Sequence, residues 1–200
     1  MELLYVNACP RGEVSRTRRL AEALLARLKT ALPDLTVTVH DLPSMGLRDV
    51  SAARLAEKED LCDAHAWEDS SLRAGRELQR ADAVLIAAPY WDLSFPSVLK
   101  VWVENIWVRN LTFVYRDDRP VGLVSGRAAV YLTTAGSRTA GHDWGTLYIE
   151  DVLRTLGIPE FLAVKAEALD LAGSDTEKIM GRGLADAVRA ADWLAARLRA

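Results

Sequence analysis

The sequence is poor in the residues that build disulfide scaffolds and metal sites. Its 200 residues include only two cysteines, Cys9 and Cys62, and three histidines, which lie far apart at positions 40, 65 and 142. No CxxC pair and no His/Cys cluster with metal-ligand spacing occurs. These absences argue against a disulfide framework and a zinc site, and we expect no bound metal.

Long apolar runs, a leader segment and an excess of positive charge are also missing. No stretch approaches the roughly 18 consecutive apolar residues of a membrane-spanning helix, and a strand pattern begins directly after Met1. The formal net charge is −3 without a dominant basic face, which argues against binding to nucleic acid. We therefore expect a cytoplasmic protein with neither a membrane nor a nucleic acid as its partner.

Strand and helix patterns alternate along the chain. Apolar runs rich in valine, leucine and isoleucine predict five buried strands, at residues 3–8, 35–40, 83–88, 127–134 and 159–166. Helical patterns occupy residues 15–28, 52–58, 67–80, 95–108, 144–156 and 176–198, and Gly157 ends the fifth of these helices. An alternating strand at 111–115 and a turn at 117–120 predict an exposed hairpin before the fourth buried strand.

This alternation predicts parallel strands joined by right-handed crossovers. Five such strands match a single flavodoxin-like domain over residues 1–200, an α/β fold with three layers (α/β/α) and strand order 2-1-3-4-5. Ligands of this fold bind at the carboxyl edge of the sheet, between strands one and three. The loops after strands one, three and four should therefore converge on one site.

The loop after the third strand carries flat side chains. Pro89 ends the strand, because proline lacks the N–H that a central strand donates. Tyr90 and Trp91 follow, and they can contact a planar heterocycle before the chain continues through Asp92 and Leu93. The alternative interpretation is a strand–loop–helix unit whose aromatic side chains merely pack.

The helix at 95–108 is apolar nearly all round and includes Trp102 and Trp107. Asp92 or Ser94 can cap this helix, and Pro96 suits its first turn. A helix without a polar face should be buried on more than one side, by the sheet and by a second subunit. We therefore expect a homodimer.

The loop after the first strand lacks GxGxxG and a Walker lysine, which weakens the case for a classical dinucleotide or nucleoside triphosphate site. It offers instead Ser15 and Thr17 at a helix start, beside Arg11 and Arg16. Hydroxyls, backbone N–H groups and the positive helix end can together hold a phosphate. Alternatively, Ser15 is a plain N-cap and the arginines form a solvated face.

The third loop, residues 133–137, is small and polar, so its backbone can approach the edge of a ring closely. A phosphate site, an aromatic shelf and a small polar loop around one switch point together predict FMN.

Four stretches also point to a known family: residues 8–12 with 15–17, residues 89–93 leading to Leu99 and Lys100, residues 112–115 with 122–127, and residues 133–137. Along nearly its whole length the chain resembles the NAD(P)H-dependent FMN oxidoreductases of the azoreductase and quinone-reductase family. The resemblance implies three groups of FMN contacts: Cys9, Ser15, Arg16 and Thr17 at the phosphate; Pro89, Tyr90, Trp91, Asp92 and Leu93 at the isoalloxazine; and Thr134, Ala135, Gly136 and Ser137 at its pyrimidine side.

The same resemblance implies that Tyr115 borders a substrate pocket that a partner subunit often completes. His142 is a candidate proton donor, as a histidine follows this loop in quinone reductases, or else an ordinary loop histidine. Two positions depart from the azoreductase pattern. Cys9 replaces a serine, a stronger donor to phosphate, and Asp92 replaces an asparagine, adding a charge that disfavours reduced, anionic flavin.

The implied activity is ping-pong hydride transfer. NADH or NADPH reduces the flavin and leaves, and an aromatic acceptor (a quinone, azo or nitro compound) then takes its place. No Ser/His/Asp arrangement or carboxylate pair indicates hydrolysis, and we assign no side chain as an obligatory catalyst. Two alternatives stay open: a flavodoxin-like electron carrier without its own small-molecule substrate, and a regulatory flavin-binding protein that has lost turnover.

Overall fold

The computed structural model describes residues 1–200 and contains a five-stranded parallel sheet and a separate two-stranded hairpin. The parallel strands are β1 (Glu2–Asn7), β2 (Thr36–Asp41), β3 (Ala83–Ala87), β6 (Ala128–Thr134) and β7 (Glu160–Ala166), and the hairpin pairs β4 (Phe113–Arg116) with β5 (Arg119–Gly122). The helices are α1 (Arg16–Ala31), α2 (Ala52–Asp63), α3 (Arg73–Arg80), α4 (Ser97–Ile106), α5 (Trp144–Leu156) and α6 (Thr176–Arg199). The parallel strands lie in the order β2-β1-β3-β6-β7, which confirms the predicted flavodoxin-like topology with a hairpin before the fourth parallel strand.

The sheet separates two apolar cores because successive side chains of a strand point to opposite faces. In β1, Leu3 and Tyr5 pack with α1 and α6 on one face, whereas Leu4 and Val6 pack with α3, α4 and α5 on the other. All five residues of β3 are buried, as expected for a central strand covered on both faces. None of the helices combines the length and apolar character needed to cross a lipid bilayer.

Several helix boundaries differ from the prediction, and the largest differences are in α2 and α3. Helix α2 extends to Asp63, well past residue 58, because Cys62 gives its last turn a buried apolar contact with Leu72. Helix α3 begins only at Arg73, after a 3-10 turn over Ser70–Leu72, so the predicted start at residue 67 was wrong.

The predicted cap of α4 was also wrong. Pro96 is the N-cap residue and no side chain caps the helix, because Asp92 and Ser94 belong to a separate tight turn before it.

Helix α4 is covered by its own chain to a greater extent than the sequence suggested. Trp102 is completely buried, and Trp107 is partly buried against Phe113, with 5.3 Å between their ring centroids. The apolar character of this helix therefore does not itself require a second subunit.

The hairpin is fixed to the body of the protein at its base. Leu123 N–H donates to the Thr112 carbonyl and Val124 N–H donates to the Leu156 carbonyl, at 2.9 Å and 3.0 Å. A Cβ on Gly122 would lie 2.0 Å from the backbone of Leu156, so only glycine permits this close approach to the end of α5. Gly157 (φ +115°) ends α5 in the left-handed region, as predicted.

A fully buried histidine joins β2 to helices α3 and α4. The Trp102 indole N–H donates to His40 Nδ1 at 2.9 Å, and His40 Nε2 lies 2.5 Å from a carboxylate oxygen of Glu77. Since an indole nitrogen only donates, Nδ1 must accept, and the ring proton therefore resides on Nε2. Burial, its largest cause, lowers the pKa of His40 below the usual 6.5.

We expect this histidine to make the fold sensitive to acid. Because its pKa is lower in the folded state, the unfolded chain takes up a proton first as the pH falls through about 6.5, so the free energy of unfolding decreases. The slope attributable to one histidine is at most about 1.4 kcal/mol per pH unit. Urea titrations between about pH 7.5 and 5 should show a shallower decline in His40→Gln than in the parent. The exposed control His142→Gln should keep the parent's slope, and identical slopes in all three proteins would contradict the assignment to His40.

Candidate functional site

A cavity of about 250 Å³ opens at the carboxyl edge of the sheet. Four loops line it, those after β1, β3, β6 and β7, so the three loops expected to converge do meet here. The lining residues are Arg11, Ser15, Arg16, Pro89, Tyr90, Trp91, Thr134, Ala135, Gly136, Leu169 and Asp170. No group of three or more His, Cys, Asp or Glu side chains is arranged to hold a metal ion.

The loop after β1 supplies the positive end of the cavity. Ser15 is the N-cap of α1, and its Oγ accepts the backbone N–H of Arg18 at 3.4 Å. The Arg16 guanidinium reaches across the cavity to Asp170, with 2.7 Å between nitrogen and oxygen. The first N–H groups of a helix lack intrahelical acceptors and carry partial positive charge, so this corner favours an anion.

Two predicted phosphate contacts, Cys9 and Thr17, lie beneath the cavity and do not line it. The Cys9 thiol is 1% exposed and donates to the Ala87 carbonyl, with 3.5 Å between sulfur and oxygen. Burial raises the pKa of Cys9 to about 11, so the thiol stays protonated at neutral pH. Thr17 is fully buried, and its hydroxyl lies 2.7 Å from that of Thr134, which ties the first loop to the third.

The loop after β3 contains a strained turn. Trp91 and Ser94 exchange two backbone hydrogen bonds, of 2.8 Å and 3.2 Å, around Asp92 (φ +49°) and Leu93 (φ +65°). Two successive residues in the left-handed region define a type I′ turn, and a leucine there costs about 1 kcal/mol. Trp144 N–H, at the start of α5, donates to the Leu93 carbonyl at 3.2 Å and holds this turn in place.

The turn keeps Asp92 and Leu93 exposed, next to the cavity but outside its lining. Trp91 lines the cavity and is 41% exposed, and the Tyr90 hydroxyl donates to the His142 carbonyl at 3.1 Å. Apart from that backbone contact, His142 is an exposed loop residue that does not reach the cavity.

The loop after β6 is bonded along its length to the loop after β7. Ala135 N–H donates to the Ala166 carbonyl at 2.9 Å, and Asp170 N–H donates to the Gly136 carbonyl at 2.9 Å. The Ser137 carbonyl continues this pairing by accepting the Ala168 N–H, and Ser137 itself lies beyond the cavity lining. A Cβ on Gly136 would lie 2.4 Å from the Asp170 carboxylate, so glycine lets that carboxylate sit over the loop.

Asp170 and Leu169 were missed by the sequence reasoning. A single acid in a loop has no pattern that distinguishes it from a solvated residue. The predicted topology did contain a signal, however, because the loop after the last strand must lie at the same edge as the other three.

Tyr115 lines a different and larger cavity, of about 600 Å³, which shares no residue with the first. This second cavity lies among α2, α4, α5 and the hairpin, and its walls are mostly apolar. Lys58 also lines it, and its ammonium donates to the Glu104 carbonyl at 2.8 Å. Burial lowers the pKa of Lys58 to about 8.

The strand order and the cavity at its switch point define a flavodoxin-like α/β protein with a ligand site at the carboxyl edge of the sheet. Consistent with this, the sequence model of a family described by the flavodoxin-like fold matches residues 1–190.

Comparison with individual relatives shows which members of this family the chain is similar to. An FMN-dependent NADH:quinone oxidoreductase from Sinorhizobium fredii is 32% identical over 187 residues, which cover 89% of this chain and 90% of the relative. A second such enzyme, from Clostridium acetobutylicum, is 30% identical over 190 residues and covers 90% of this chain and 92% of its own. The crystal structure of an FMN-dependent NADH-azoreductase from Bacillus anthracis in complex with FMN superposes with a TM-score of 0.86 over 97% of this chain and 99% of its own. At 19% identity that likeness shows a shared fold. The chain belongs to the flavodoxin-like family, in the branch whose members are named FMN-dependent NADH:quinone oxidoreductases.

We expect the Thr17–Thr134 hydrogen bond to stabilise the floor of the site. Thr17→Val conserves the side-chain shape but leaves the Thr134 hydroxyl buried without its partner, which should lower the free energy of unfolding by about 1–3 kcal/mol. The double variant Thr17→Val/Thr134→Val should lose less than the sum of the two single changes, as measured by urea denaturation. Thr30→Val, on the exposed face of α1, is the control and should change stability by no more than about 0.5 kcal/mol. Strict additivity of the two site substitutions would show that the bond contributes nothing.

Proposed function

We propose that residues 1–200 act as a single FMN-binding domain that catalyses the NAD(P)H-dependent reduction of quinones or of azo and nitroaromatic compounds. The observation that carries this proposal is the cavity at the switch point, which combines an anion-binding corner, an exposed indole and a small backbone-lined loop. Membership of a family of FMN-dependent NADH:quinone oxidoreductases supports the same reading. So does the FMN bound to the solved azoreductase of the same fold.

The residues of the cavity fit a flavin mononucleotide. Its anionic end is suited to the corner formed by Ser15, Arg16 and the start of α1. Its planar end is suited to the shelf of Pro89, Tyr90 and Trp91 and to the backbone around Gly136. The volume of about 250 Å³ lies below the usual range of about 300–1,000 Å³ for small-molecule pockets, so the cavity would enclose only part of the cofactor.

We propose that the phosphate contacts come from the Ser15 hydroxyl, the Arg16 guanidinium and the first N–H groups of α1, with Arg11 adding charge. The buried Cys9 and Thr17 side chains would act from below, by fixing the loop that presents those groups. Arg16 already pairs with Asp170, so an incoming phosphate must either share the Arg16 guanidinium with that carboxylate or displace the carboxylate from it.

FMN, when bound, supplies the redox chemistry, accepting a hydride from NADH or NADPH and passing it to the aromatic acceptor in a separate, ping-pong half-reaction. The chain's own contribution would be orientation: hydrogen bonds hold the backbone of the turn at Asp92 and Leu93, and others join the loops after β6 and β7, so both would be rigid supports for the planar end of the cofactor. Thr134, Ala135, Gly136 and Ser137 offer backbone groups there, and no side chain is assigned to proton transfer. His142 stays a candidate substrate contact through its position beside Tyr90.

We further propose that the enzyme is a homodimer whose partner covers the cavity mouth. Exposed apolar side chains run from the cavity along α5 and on to the hairpin: Trp91, Leu93, Trp144, Leu147 and Tyr115 are each between 41% and 61% exposed. Large apolar side chains exposed in such number are typical of an interface between subunits. In that assembly Tyr115 would border the substrate site of the partner. The other partner is the small aromatic acceptor, and a cytoplasmic location stays a prediction.

We expect the purified protein to take up FMN and to show flavin absorbance that bleaches on anaerobic addition of NADH or NADPH. Arg16→Gln should weaken FMN binding by about tenfold or more, because it removes a charged hydrogen-bond donor from the phosphate corner. Arg182→Gln, an exposed arginine on α6, is the matched control and should leave the affinity unchanged. Bound flavin that neither nicotinamide reduces would favour the electron carrier, and no flavin binding would refute the proposal.

We expect Leu147→Glu to convert the dimer to a monomer in size-exclusion chromatography with light scattering. A charge placed in an apolar interface loses hydration without gaining a partner. Val188→Glu adds the same charge at an exposed apolar position on α6 and should stay dimeric. A parent protein that is monomeric, or a Leu147→Glu variant that keeps the parent's mass, would rule out this interface.

A further inference from the structure

A third cavity, of about 460 Å³, lies away from both of the sites described above and shares no residue with either. The loop after β2 and the starts of α2 and α3 form its walls, and Asn105 of α4 closes one side. Three arginines line it, Arg48, Arg54 and Arg73, together with the hydroxyl residues Ser70 and Ser71. No other cavity described above has three arginines in its lining.

Two of the three arginines have no ion-pair partner, although the acids beside them offset part of the positive charge. Arg73 pairs with Glu77 at 2.9 Å, but neither Arg48 nor Arg54 forms an ion pair. The single acid in the lining, Glu57, also pairs with nothing. A cleft with this excess of positive charge, in a protein whose net charge is −3, concentrates anions locally.

The backbone that carries the arginines is held in place by buried and capping groups. Asn105, which is 4% exposed, donates from Nδ2 to the Arg48 carbonyl at 2.9 Å and to the Val101 carbonyl at 2.8 Å. Ser51 caps α2 by accepting the Arg54 N–H. The helix and loop that bear two of the three arginines are therefore fixed before any ligand arrives.

We propose that this cavity binds the phosphate group of a small phosphate monoester, as a site separate from the one assigned to FMN. Arginine presents a planar fork of N–H donors that matches the oxygens of a phosphate, and the two unpaired forks of Arg48 and Arg54, with Arg73 beside them, suit a dianion better than a single carboxylate. Glu57 places an acceptor beside them that can take a hydrogen bond from a hydroxyl, and Met45 and Leu47 form an apolar wall. A phosphorylated sugar therefore suits the lining better than a bare polyanion does.

The test is isothermal titration calorimetry with ribose 5-phosphate, performed on protein saturated with FMN so that the phosphate corner of the first cavity is already filled. Binding should weaken by about tenfold or more in Arg54→Gln and in Arg48→Gln, since each loses a charged hydrogen-bond donor. Arg182→Gln should bind as the parent does. Arg16→Gln should also keep its affinity in the FMN-loaded protein, because that residue belongs to the first cavity.

Two further ligands identify what is recognised. Ribose without phosphate should not bind. Inorganic phosphate that binds as tightly as ribose 5-phosphate would support the anion site but assign it to free phosphate, and would remove the sugar from the proposal. Failure of the parent to bind ribose 5-phosphate or phosphate would overturn the site, as would binding that Arg16→Gln abolishes and Arg54→Gln does not. The arginine substitutions lie on exposed or half-exposed positions, so loss of binding can be separated from loss of fold by comparing urea denaturation curves.

Discussion

The register of the three central strands determines where the site can form. Asn7 of β1 pairs with Ala87 of β3, which pairs in turn with Leu132 of β6, so the ends of these strands lie almost in line. Parallel strands leave the sheet at the same edge, and the three loops therefore begin at nearly one level. Hydrogen bonds then join them, from Tyr90 N–H to the Thr134 carbonyl and between the Thr17 and Thr134 hydroxyls. A change of register in any one strand would separate groups that line one cavity.

The protein treats its buried and cavity-lining charges in different ways. Arg16 is held by Asp170 across the first cavity, and His40 accepts the Trp102 indole N–H on one side and lies against the Glu77 carboxylate on the other. These groups are already satisfied without a ligand, so their orientation is fixed in advance. Arg48 and Arg54 have no such partner and meet a cavity that is open to solvent. The paired groups, Arg16 and His40, are suited to hold neighbouring groups in fixed positions. The unpaired Arg48 and Arg54 are suited to attract an anion from solution.

The sequence allowed the fold to be predicted because apolar runs and helical patterns alternated without a break, and because Gly157 and Ser15 marked helix ends by their own chemistry. Details that depend on distant contacts were not accessible. Helix α2 is extended by the burial of Cys62 against Leu72, and the Asp92–Leu93 turn overrides the propensity of leucine for other backbone conformations. Asp170 was missed for the same reason, since its role comes from Arg16, 154 residues earlier in the chain.

The strand order also means that some parts of the core can form only after distant parts of the chain have been made. The first strand of the chain, β1, lies inside the sheet, and its neighbour β3 begins only at Ala83. The last helix, α6, packs on α1, where Arg27 pairs with Asp192, and supplies seven of the 25 core residues on that face. Contacts this distant in sequence form slowly and leave apolar surface exposed in the meantime. A chain in which α6 has not yet docked therefore leaves the apolar face of α1 exposed to solvent, together with the part of the sheet that α6 covers.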